Sequence, residues 1–307
     1  MPNYDIITIL GPTACGKTKI ATHLAYNING EIISGDSRQV YKGMDIGTGK
    51  DLNEYIVNNT FIPYHLIDIR KTGEKYNVFE FKKDFLKAYH QIKSNNKIPI
   101  LCGGSGMYIE AILRNYELIE VPENIELRKQ LSNYTLDELK AILEKYKKLH
   151  NKTDVDTKKR AIRAIEIAEY YKANEININQ PPNIKSLTIG INISRELRRE
   201  RISTRLKERL KQGMINEVQN LLNQNISPED LIYYGLEYKY ITEYLIGKYS
   251  YDEFFIKLET AIHQFAKRQM TYFRGMERRG IKITWIDGTK DLQEIVKQIS
   301  DLYFNTN

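Results

Sequence analysis

The stretch of the chain with the clearest chemistry is a glycine-rich loop near its start, with the sequence GPTACGKT. Its spacing, Gly-x4-Gly-Lys-Thr, is that of a phosphate-binding loop, and it lies between a strand-like run, 6–10, and a helical pattern, 17–28. In such loops backbone N–H groups and a helix N-terminus surround phosphate oxygens. Lys17 is expected to reach the terminal phosphate, and the Thr18 hydroxyl to ligate Mg²⁺. The predicted phosphate-binding residues are Gly11, Pro12, Thr13, Ala14, Cys15, Gly16, Lys17 and Thr18.

Three further apolar runs end in small or polar residues, which are the next candidates for chemistry. Because ligands bind at the carboxyl ends of parallel strands, we expect these endings and the phosphate loop to meet at one site. Asp36, in the first of them, is a candidate general base, and equally a helix cap or an aspartate near a bound metal. The three endings are Ser34-Gly35-Asp36-Ser37-Arg38-Gln39, Asp68-Ile69-Arg70 and Gly103-Gly104-Ser105-Gly106.

The elements that must position these residues fall into two parts. Strand-like runs alternate with helical patterns such as 78–92, which predicts a parallel sheet flanked by helices. Residues 116–183 are lysine-rich, helical in pattern and end in Gln180-Pro181-Pro182. We therefore predict an α/β, P-loop-type core, residues 1–115 and 184–307 with C-terminal helices over 195–279, and an inserted all-helical domain, residues 116–183. The strand-like runs are 6–10, 31–34, 62–69, 98–102, 184–193 and 282–286.

The composition narrows the class of protein. The 307 residues carry a formal net charge of +7, which favours a polyanionic partner. The two cysteines, Cys15 and Cys102, form no CxxC pair, so neither a disulfide framework nor a zinc site is predicted. There is no signal-peptide pattern, and no apolar run approaches 18 residues. We expect a cytoplasmic, monomeric protein with no membrane partner.

A phosphate-binding loop belongs by default to a kinase or another ATP-binding or nucleotide-binding enzyme. Such an enzyme needs a Walker B carboxylate after an apolar run, and His65-Leu66-Ile67-Asp68 could supply it. No arginine-rich lid of the small-molecule kinase kind is evident. The default interpretation therefore stays open at this point.

The longer stretch from Ser34 to Lys50, SGDSRQVYKGMDIGTGK, favours a different class of enzyme. Together with GPTACGKT it resembles the tRNA dimethylallyltransferase (tRNA isopentenyltransferase) family of bacterial type, whose pattern runs GPTASGKT and then DSxQxYxGMDIGTxK. Further matches keep the family order and cover nearly the whole chain. They are PYHLID (63–68), GGSGMY (103–108), KRAIRAIE (159–166), RISTR (201–205) and AKRQMTYFR (266–274).

The chain also departs from the family pattern. Cys15 stands where serine is usual, and Lys159 where glutamine is usual. The run Gly235-Leu236-Glu237-Tyr238 replaces a G-Y-K-E-like run, so no role is assigned to it. No Cys/His cluster of the kind found in eukaryotic members occurs near the C-terminus.

The resemblance implies transfer of a dimethylallyl group from dimethylallyl diphosphate to N6 of the adenosine adjacent (3′) to the anticodon of tRNA, with Mg²⁺. It implies that Asp36 is the general base and that Thr13 contacts the diphosphate or Asp36. Ser105 would lie near the target nucleotide, and Arg205 would stabilise the leaving diphosphate. The residues implied in tRNA binding are Asp36, Ser37, Arg38, Gln39, Ser105, Arg128, Lys159, Arg160, Ala161, Ile162 and Arg163.

Several alternatives stay open on the sequence alone. A cytokinin-type transferase would prenylate free adenine nucleotides, a kinase would transfer phosphate from ATP, and an RNA-binding module would do neither. For single residues, Arg205 could be one more charge on a solvated helix, and Ser105 a simple helix cap. The basic segments 145–163 and 267–282 could be solvated helix faces rather than RNA-binding surfaces.

Overall fold

The computed structural model describes residues 3–146, 155–174 and 183–305. The chain divides into two compact units, one of Met1–Tyr116 with Pro182–Asn307 and the other of Glu117–Pro181. The first is the α/β unit and the second is the helical unit. The predicted Gln180-Pro181-Pro182 boundary lies outside the described residues.

A six-stranded, all-parallel sheet forms the centre of the α/β unit. A separate antiparallel hairpin is formed by two short strands, Ile56–Val57 and Thr60–Phe61. The strands are β1 (Ile6–Leu10), β2 (Gly30–Ser34), β3 (Ile56–Val57), β4 (Thr60–Phe61), β5 (Tyr64–His65), β6 (Ile98–Gly103), β7 (Ser186–Asn192) and β8 (Thr284–Asp287). The sheet order is β5-β2-β6-β1-β7-β8. This confirms the predicted fold class, a P-loop-like parallel sheet flanked by helices.

Nine of the described α-helices belong to the α/β unit and three to the helical unit. In chain order they are α1 (Lys17–Ile28), α2 (Val78–Ser94), α3 (Gly106–Leu113), α4 (Ile125–Leu131), α5 (Leu136–Glu144), α6 (Lys158–Ala173), α7 (Arg195–Lys211), α8 (Met214–Asn223), α9 (Pro228–Tyr233), α10 (Leu236–Leu245), α11 (Tyr251–Arg278) and α12 (Leu292–Phe304). Those of the helical unit are α4, α5 and α6. No described helix combines the length and apolarity that a membrane span requires.

Strand β1 shows how the sequence builds the sheet. Its side chains alternate between the two faces, so that Ile6 and Leu10 enter one hydrophobic core and Ile7 and Ile9 enter the other. All four are fully buried. A continuous apolar run is what a strand covered by helices on both faces requires. Since β1 pairs with both β6 and β7, its end lies at the middle of the sheet edge.

The run 62–69 differs from its prediction as one strand. Only Tyr64–His65 pairs with β2. Leu66 and Asp68 follow with positive φ values of 63° and 56°, which extended strands do not contain. The apolar side chains of this run therefore pack from an irregular segment, and the hairpin of β3 and β4 before it was not predicted.

The helical unit has its own small core. Leu131, Leu139, Leu143 and Ile165 pack together from α4, α5 and α6. A capping box begins α5, in which Thr135 and Glu138 satisfy each other's backbone N–H groups.

Candidate active site

The phosphate loop joins the central strand β1 to helix α1. Two residues with positive φ reverse the chain, Ala14 at 62° and Gly16 at 85°. A Cβ on Gly11 would lie 2.7 Å from Cys15 Sγ and 2.8 Å from the Ile191 carbonyl oxygen, so only glycine fits at the start of the loop. Lys17, the first residue of α1, extends its amine back to 3.5 Å from the Pro12 carbonyl oxygen.

A cavity of about 520 Å³ lies at this edge of the sheet in the α/β unit. The predicted catalytic residues Thr13, Asp36, Ser105 and Arg205 all line it. Three of the four predicted strand endings therefore meet there. The predicted residues that line the cavity are Thr13, Lys17, Thr18, Asp36, Ser37, Arg38, Gln39, Ser105 and Arg205.

The fourth ending, Asp68-Ile69-Arg70, is absent from the described cavity lining. The Asp68 carboxylate is ion-paired with the buried Lys50 amine, which also contacts Asp45 Oδ1 at 2.6 Å. Arg70 pairs with Asp84 at 3.1 Å. The interpretation of Asp68 as a Walker B carboxylate is therefore wrong, because this carboxylate neutralises a buried lysine instead.

Asp36 follows β2 and is half-buried at the cavity wall. Its Oδ1 accepts a hydrogen bond of 2.8 Å from the Arg38 N–H, and its own N–H donates to Ser34 Oγ at 3.4 Å. These contacts fix the carboxyl group relative to the backbone. No described helix begins at this residue, so the alternative that it caps a helix does not hold.

Ser105 ties the ends of β2 and β6 together. Its hydroxyl accepts a hydrogen bond of 3.0 Å from the Ser37 N–H and lies 3.3 Å from Ser37 Oγ. Ser105 does occupy the N-cap position of α3, but its side chain makes no capping hydrogen bond in the described structure. The hydroxyl therefore serves the loop contact rather than the helix.

Two other predicted residues that follow β2, Arg38 and Gln39, also have contacts. Gln39 Oε1 accepts a hydrogen bond of 2.9 Å from Ser34 Oγ, and its Nε2 donates to the Gly49 carbonyl at 3.0 Å, so this amide holds the loop together. The Arg38 guanidinium lies over the ring of Tyr233, 5.3 Å from its centroid.

Arg205 projects from α7 toward the phosphate loop. It shares the Asp51 carboxylate with Arg209, whose Nη2 lies 3.3 Å from Asp51 Oδ2. Burial, reinforced by the neighbouring Arg205, lowers the pKa of Arg209. Arg205 thus lies on a cavity wall and not on a wholly solvated helix face.

Among the cavity-lining residues to which the sequence assigned no role are Arg209, Glu237, Gln269 and Tyr272. Arg209 could have been found, because it is four residues from Arg205 and so shares its helix face. Burial raises the pKa of Glu237, and the charge of Asp36 adds to this effect. Gln269 and Tyr272 lie within the quoted AKRQMTYFR motif, but nothing in their spacing indicates a role.

In the helical unit, two predicted tRNA-binding arginines are engaged internally. Arg128 donates two hydrogen bonds to the buried Glu166 carboxylate, at 2.9 and 2.8 Å. Arg163 contacts the same carboxylate and donates to the Val121 carbonyl at 2.9 Å. Burial alone would raise the pKa of Glu166, but the hydrogen bonds from both arginines lower it. These arginines stabilise the helical unit.

The remaining predicted residues lie on helix α6 of the helical unit. Lys159 and Arg160 are exposed, and Arg160 pairs with Asp156 at 2.7 Å. Ala161 is fully buried in the core of this unit, which contradicts a contact of its side chain with tRNA, and Ile162 is half-buried against the same core. Within 159–163, Lys159 and Arg160 are therefore the residues that are exposed to a binding partner.

The donor atoms of the cavity decide how a metal could bind. In the part of the chain that the structure describes, no three His, Cys, Asp or Glu side chains group closely enough to hold an ion. Mg²⁺ commonly binds through one or two protein oxygens together with phosphate oxygens and waters. The Thr18 hydroxyl lies at the cavity beside the phosphate loop. This donor set fits Mg²⁺ in company with a bound phosphate compound.

Comparison with known proteins identifies the family. A family model described as IPP transferase matches residues 39–276, more than half of the chain. The chain belongs to the IPP transferase family. It is therefore an enzyme, a transferase, and the predicted family is confirmed.

Sequence similarity to individual relatives extends over at least 96% of this transferase. It is 61% identical over 307 residues to tRNA dimethylallyltransferase 2 of Phocaeicola vulgatus, covering 100% of both chains. It is 62% identical to tRNA dimethylallyltransferase 2 of Bacteroides fragilis, over 96% of each chain. The solved full-length tRNA isopentenylpyrophosphate transferase of Bacillus halodurans is 30% identical, with a TM-score of 0.70, covering 99% of this chain and 98% of the other.

Proposed function

We propose that this transferase moves a dimethylallyl group from dimethylallyl diphosphate to N6 of the adenosine adjacent (3′) to the anticodon of tRNA, and releases diphosphate. The observation that carries the proposal is that one cavity brings a phosphate loop, an arginine and a carboxylate together. Lys17, Arg205 and Asp36 represent these three groups. Two curated relatives of closely similar length are named tRNA dimethylallyltransferase.

The donor side of the reaction requires stabilisation of negative charge on the leaving diphosphate. Lys17 and Arg205 supply positive charge at the cavity, and the N-terminus of α1 adds its dipole. Thr18 would hold Mg²⁺, which when bound neutralises part of the diphosphate charge. These groups favour departure of diphosphate without any transfer of phosphate.

The acceptor side requires activation of a weak nucleophile, because the lone pair of the adenine amine is delocalised into the ring. As N6 forms its bond to C1 of the dimethylallyl group, the allylic C–O bond breaks and its electron pair leaves with the diphosphate. The surplus N6 proton passes to the Asp36 carboxylate, which the Arg38 N–H holds in place at 2.8 Å. Asp36 is thus the proposed general base.

The target base must leave the anticodon stack to reach this carboxylate. The cavity of about 520 Å³ is within the ~300–1,000 Å³ range of pockets that enclose small ligands. The Ser105 hydroxyl, bonded to the Ser37 N–H at 3.0 Å, fixes the loop that carries Asp36 at the wall of that pocket. This arrangement supports an extruded adenine as the acceptor.

We assign the helical unit to tRNA binding through the exposed Lys159 and Arg160. The net charge of +7 gives the protein a general attraction for the phosphate backbone. Because such contacts release counterions, tRNA affinity should fall steeply as the salt concentration rises. Arg128 and Arg163 act indirectly, since they order the unit through Glu166.

The test is transfer of label from dimethylallyl diphosphate to unmodified tRNA with Mg²⁺, using wild type and Asp36→Asn. Asp301→Asn, an exposed aspartate on α12, is the matched control. We expect label in the adenosine beside the anticodon, a loss of at least about 100-fold in kcat for Asp36→Asn, and no change in the control.

Other outcomes of this experiment would overturn parts of the proposal. Label on free adenine nucleotides but not on tRNA would indicate a cytokinin-type transferase. Consumption of ATP with a small acceptor, and no label on tRNA, would indicate a kinase. Full activity of Asp36→Asn would remove Asp36 as the base.

A further inference from the structure

Gln269 on helix α11 joins two loops of the cavity that are far apart in the sequence. Its Oε1 accepts a hydrogen bond of 2.9 Å from the Thr13 N–H in the phosphate loop. Its Nε2 donates a hydrogen bond of 2.9 Å to the Gly104 carbonyl in the loop after β6. The side chain is buried, with 8% of the residue exposed, and lies at the cavity wall.

The surroundings of Gly104 show how closely these loops approach. A Cβ on Gly104 would lie 2.6 Å from Gln269 Nε2, 3.4 Å from the Gly11 carbonyl oxygen and 3.6 Å from Lys17 Nζ. The absence of a side chain at Gly104 therefore makes room for the Gln269 amide beside the phosphate loop. The bridge also occupies the Thr13 N–H, which is one of the loop donors otherwise able to bind phosphate.

The two bridged loops serve different halves of the proposed reaction. Thr13 belongs to the loop that holds the donor diphosphate. Gly104 precedes Ser105, whose hydroxyl bonds the Ser37 N–H next to Asp36. A change in the spacing of these loops would therefore change the distance between the donor carbon and the base that receives the N6 proton.

We propose that Gln269 is a positioning residue that fixes the donor loop against the acceptor loop through its side-chain amide. The inference rests on the proposed function. An amide is required because it accepts from one loop and donates to the other, whereas a carboxylate only accepts and a thioether does neither well. Gln269 contacts the two loops and acts on the reaction through them.

Two variants test the bridge from opposite sides. Gln269→Met removes both hydrogen bonds and nearly keeps the side-chain length. Gly104→Ala places a methyl group 2.6 Å from the amide nitrogen, too close for both to stay in place, and leaves the Gln269 side chain chemically intact. Thr271→Ala, an exposed position on α11 whose hydroxyl bonds the Lys267 carbonyl within the helix, is the control.

The measurements are kcat and KM for dimethylallyl diphosphate and for tRNA, taken below the lowest thermal midpoint of the variants. We expect kcat to fall about 100-fold in both variants, since a displacement of ~1 Å at a reacting centre costs about that much. Both KM values should stay within about threefold of wild type, because Lys17, Arg205 and the tRNA contacts remain. The double variant should be no slower than the slower single variant, since both changes break one bridge.

The outcomes separate this inference from the function on which it rests. If wild type fails to label tRNA, the proposed function fails. If wild type labels tRNA and both variants keep kcat, Gln269 has no positioning role. A higher donor KM at unchanged kcat would make Gln269 a ligand-binding residue and would overturn the inference. If Gln269→Met does not fold, the kcat of Gly104→Ala decides.

Discussion

Replacement of Asp51 by asparagine should tighten the binding of diphosphate. The carboxylate of Asp51 contacts both Arg205 and Arg209, and these arginines line a polar cavity of about 610 Å³ with Lys17 and Thr18. Asp51 therefore occupies guanidinium groups that would otherwise be available to the phosphate oxygens of the proposed donor. Diphosphate must compete with this internal carboxylate for the same positive charge.

The exposure of the three side chains sets the size of the effect. Arg205 is 33% exposed, Arg209 12% and Asp51 45%, so solvent screens both ion pairs in part. Partly exposed pairs contribute roughly 0.2–1 kcal/mol each, and we take about 1 kcal/mol for the two together. Since 1.4 kcal/mol corresponds to tenfold in affinity, the expected gain for Asp51→Asn is roughly fivefold.

Isothermal titration of wild type and Asp51→Asn with inorganic diphosphate and Mg²⁺ measures this gain directly. Glu208→Gln removes the same charge from the wall of the same cavity, where no described hydrogen bond or ion pair joins Glu208 to Arg205. We expect it to change the Kd by less than twofold. Unchanged or weaker binding by Asp51→Asn would refute the competition, and an equal gain in Glu208→Gln would reduce it to a general charge effect.

Three further predictions follow from the geometry. Gly106→Ala should destabilise the enzyme by about 1–3 kcal/mol, since its Cβ would lie 2.3 Å from the Tyr272 ring, and an unchanged urea midpoint would contradict this. The pKa of Glu166 is lowered from 4.5, so the stability that its charged form gives the folded state is present above pH 4.5 and is lost as pH falls through the lowered pKa. The difference in unfolding free energy between wild type and Glu166→Gln, measured in urea, should therefore narrow over that pH range. Burial raises the pKa of Cys102 to about 12, so iodoacetamide at pH 8 should label this thiol in urea but not in the native enzyme.

The parts of the fold and site predicted correctly are those with local causes. The loop from Gly11 to Thr18 joins a strand to a helix as its spacing predicts, and α1 begins and ends where its pattern does, at Lys17 and Ile28. Buried parallel strands appear as short apolar runs, so β1, β2, β6 and β7 were located within two residues. Asp36 was placed at the site because it lies just beyond the carboxyl end of such a strand, after Gly35.

The parts that could not be predicted depend on tertiary contacts. Nothing in the run 62–69 shows that positive φ values at Leu66 and Asp68 interrupt it. The partner of Asp68, the buried Lys50, lies in a loop and follows no periodic pattern. Gln269 bonds a residue 256 positions away, and an uncharged amide within a helix gives no indication of such a bond.

The divergent segment from Gly235 to Tyr238 acquires a physical role through a contact of this kind. A Cβ on Gly47 would lie 2.7 Å from the Tyr238 ring, so this tyrosine packs against the loop that contains Gly47. Its hydroxyl donates a hydrogen bond of 2.6 Å to Glu217, and the Glu217 carboxylate accepts the N–H groups of Asp45, Ile46 and Gly47 at 2.8, 2.7 and 3.0 Å. Tyr238 therefore orients the carboxylate that shapes the loop leading to Asp51. A substitution in this segment should be interpreted together with that loop, because one carboxylate connects them.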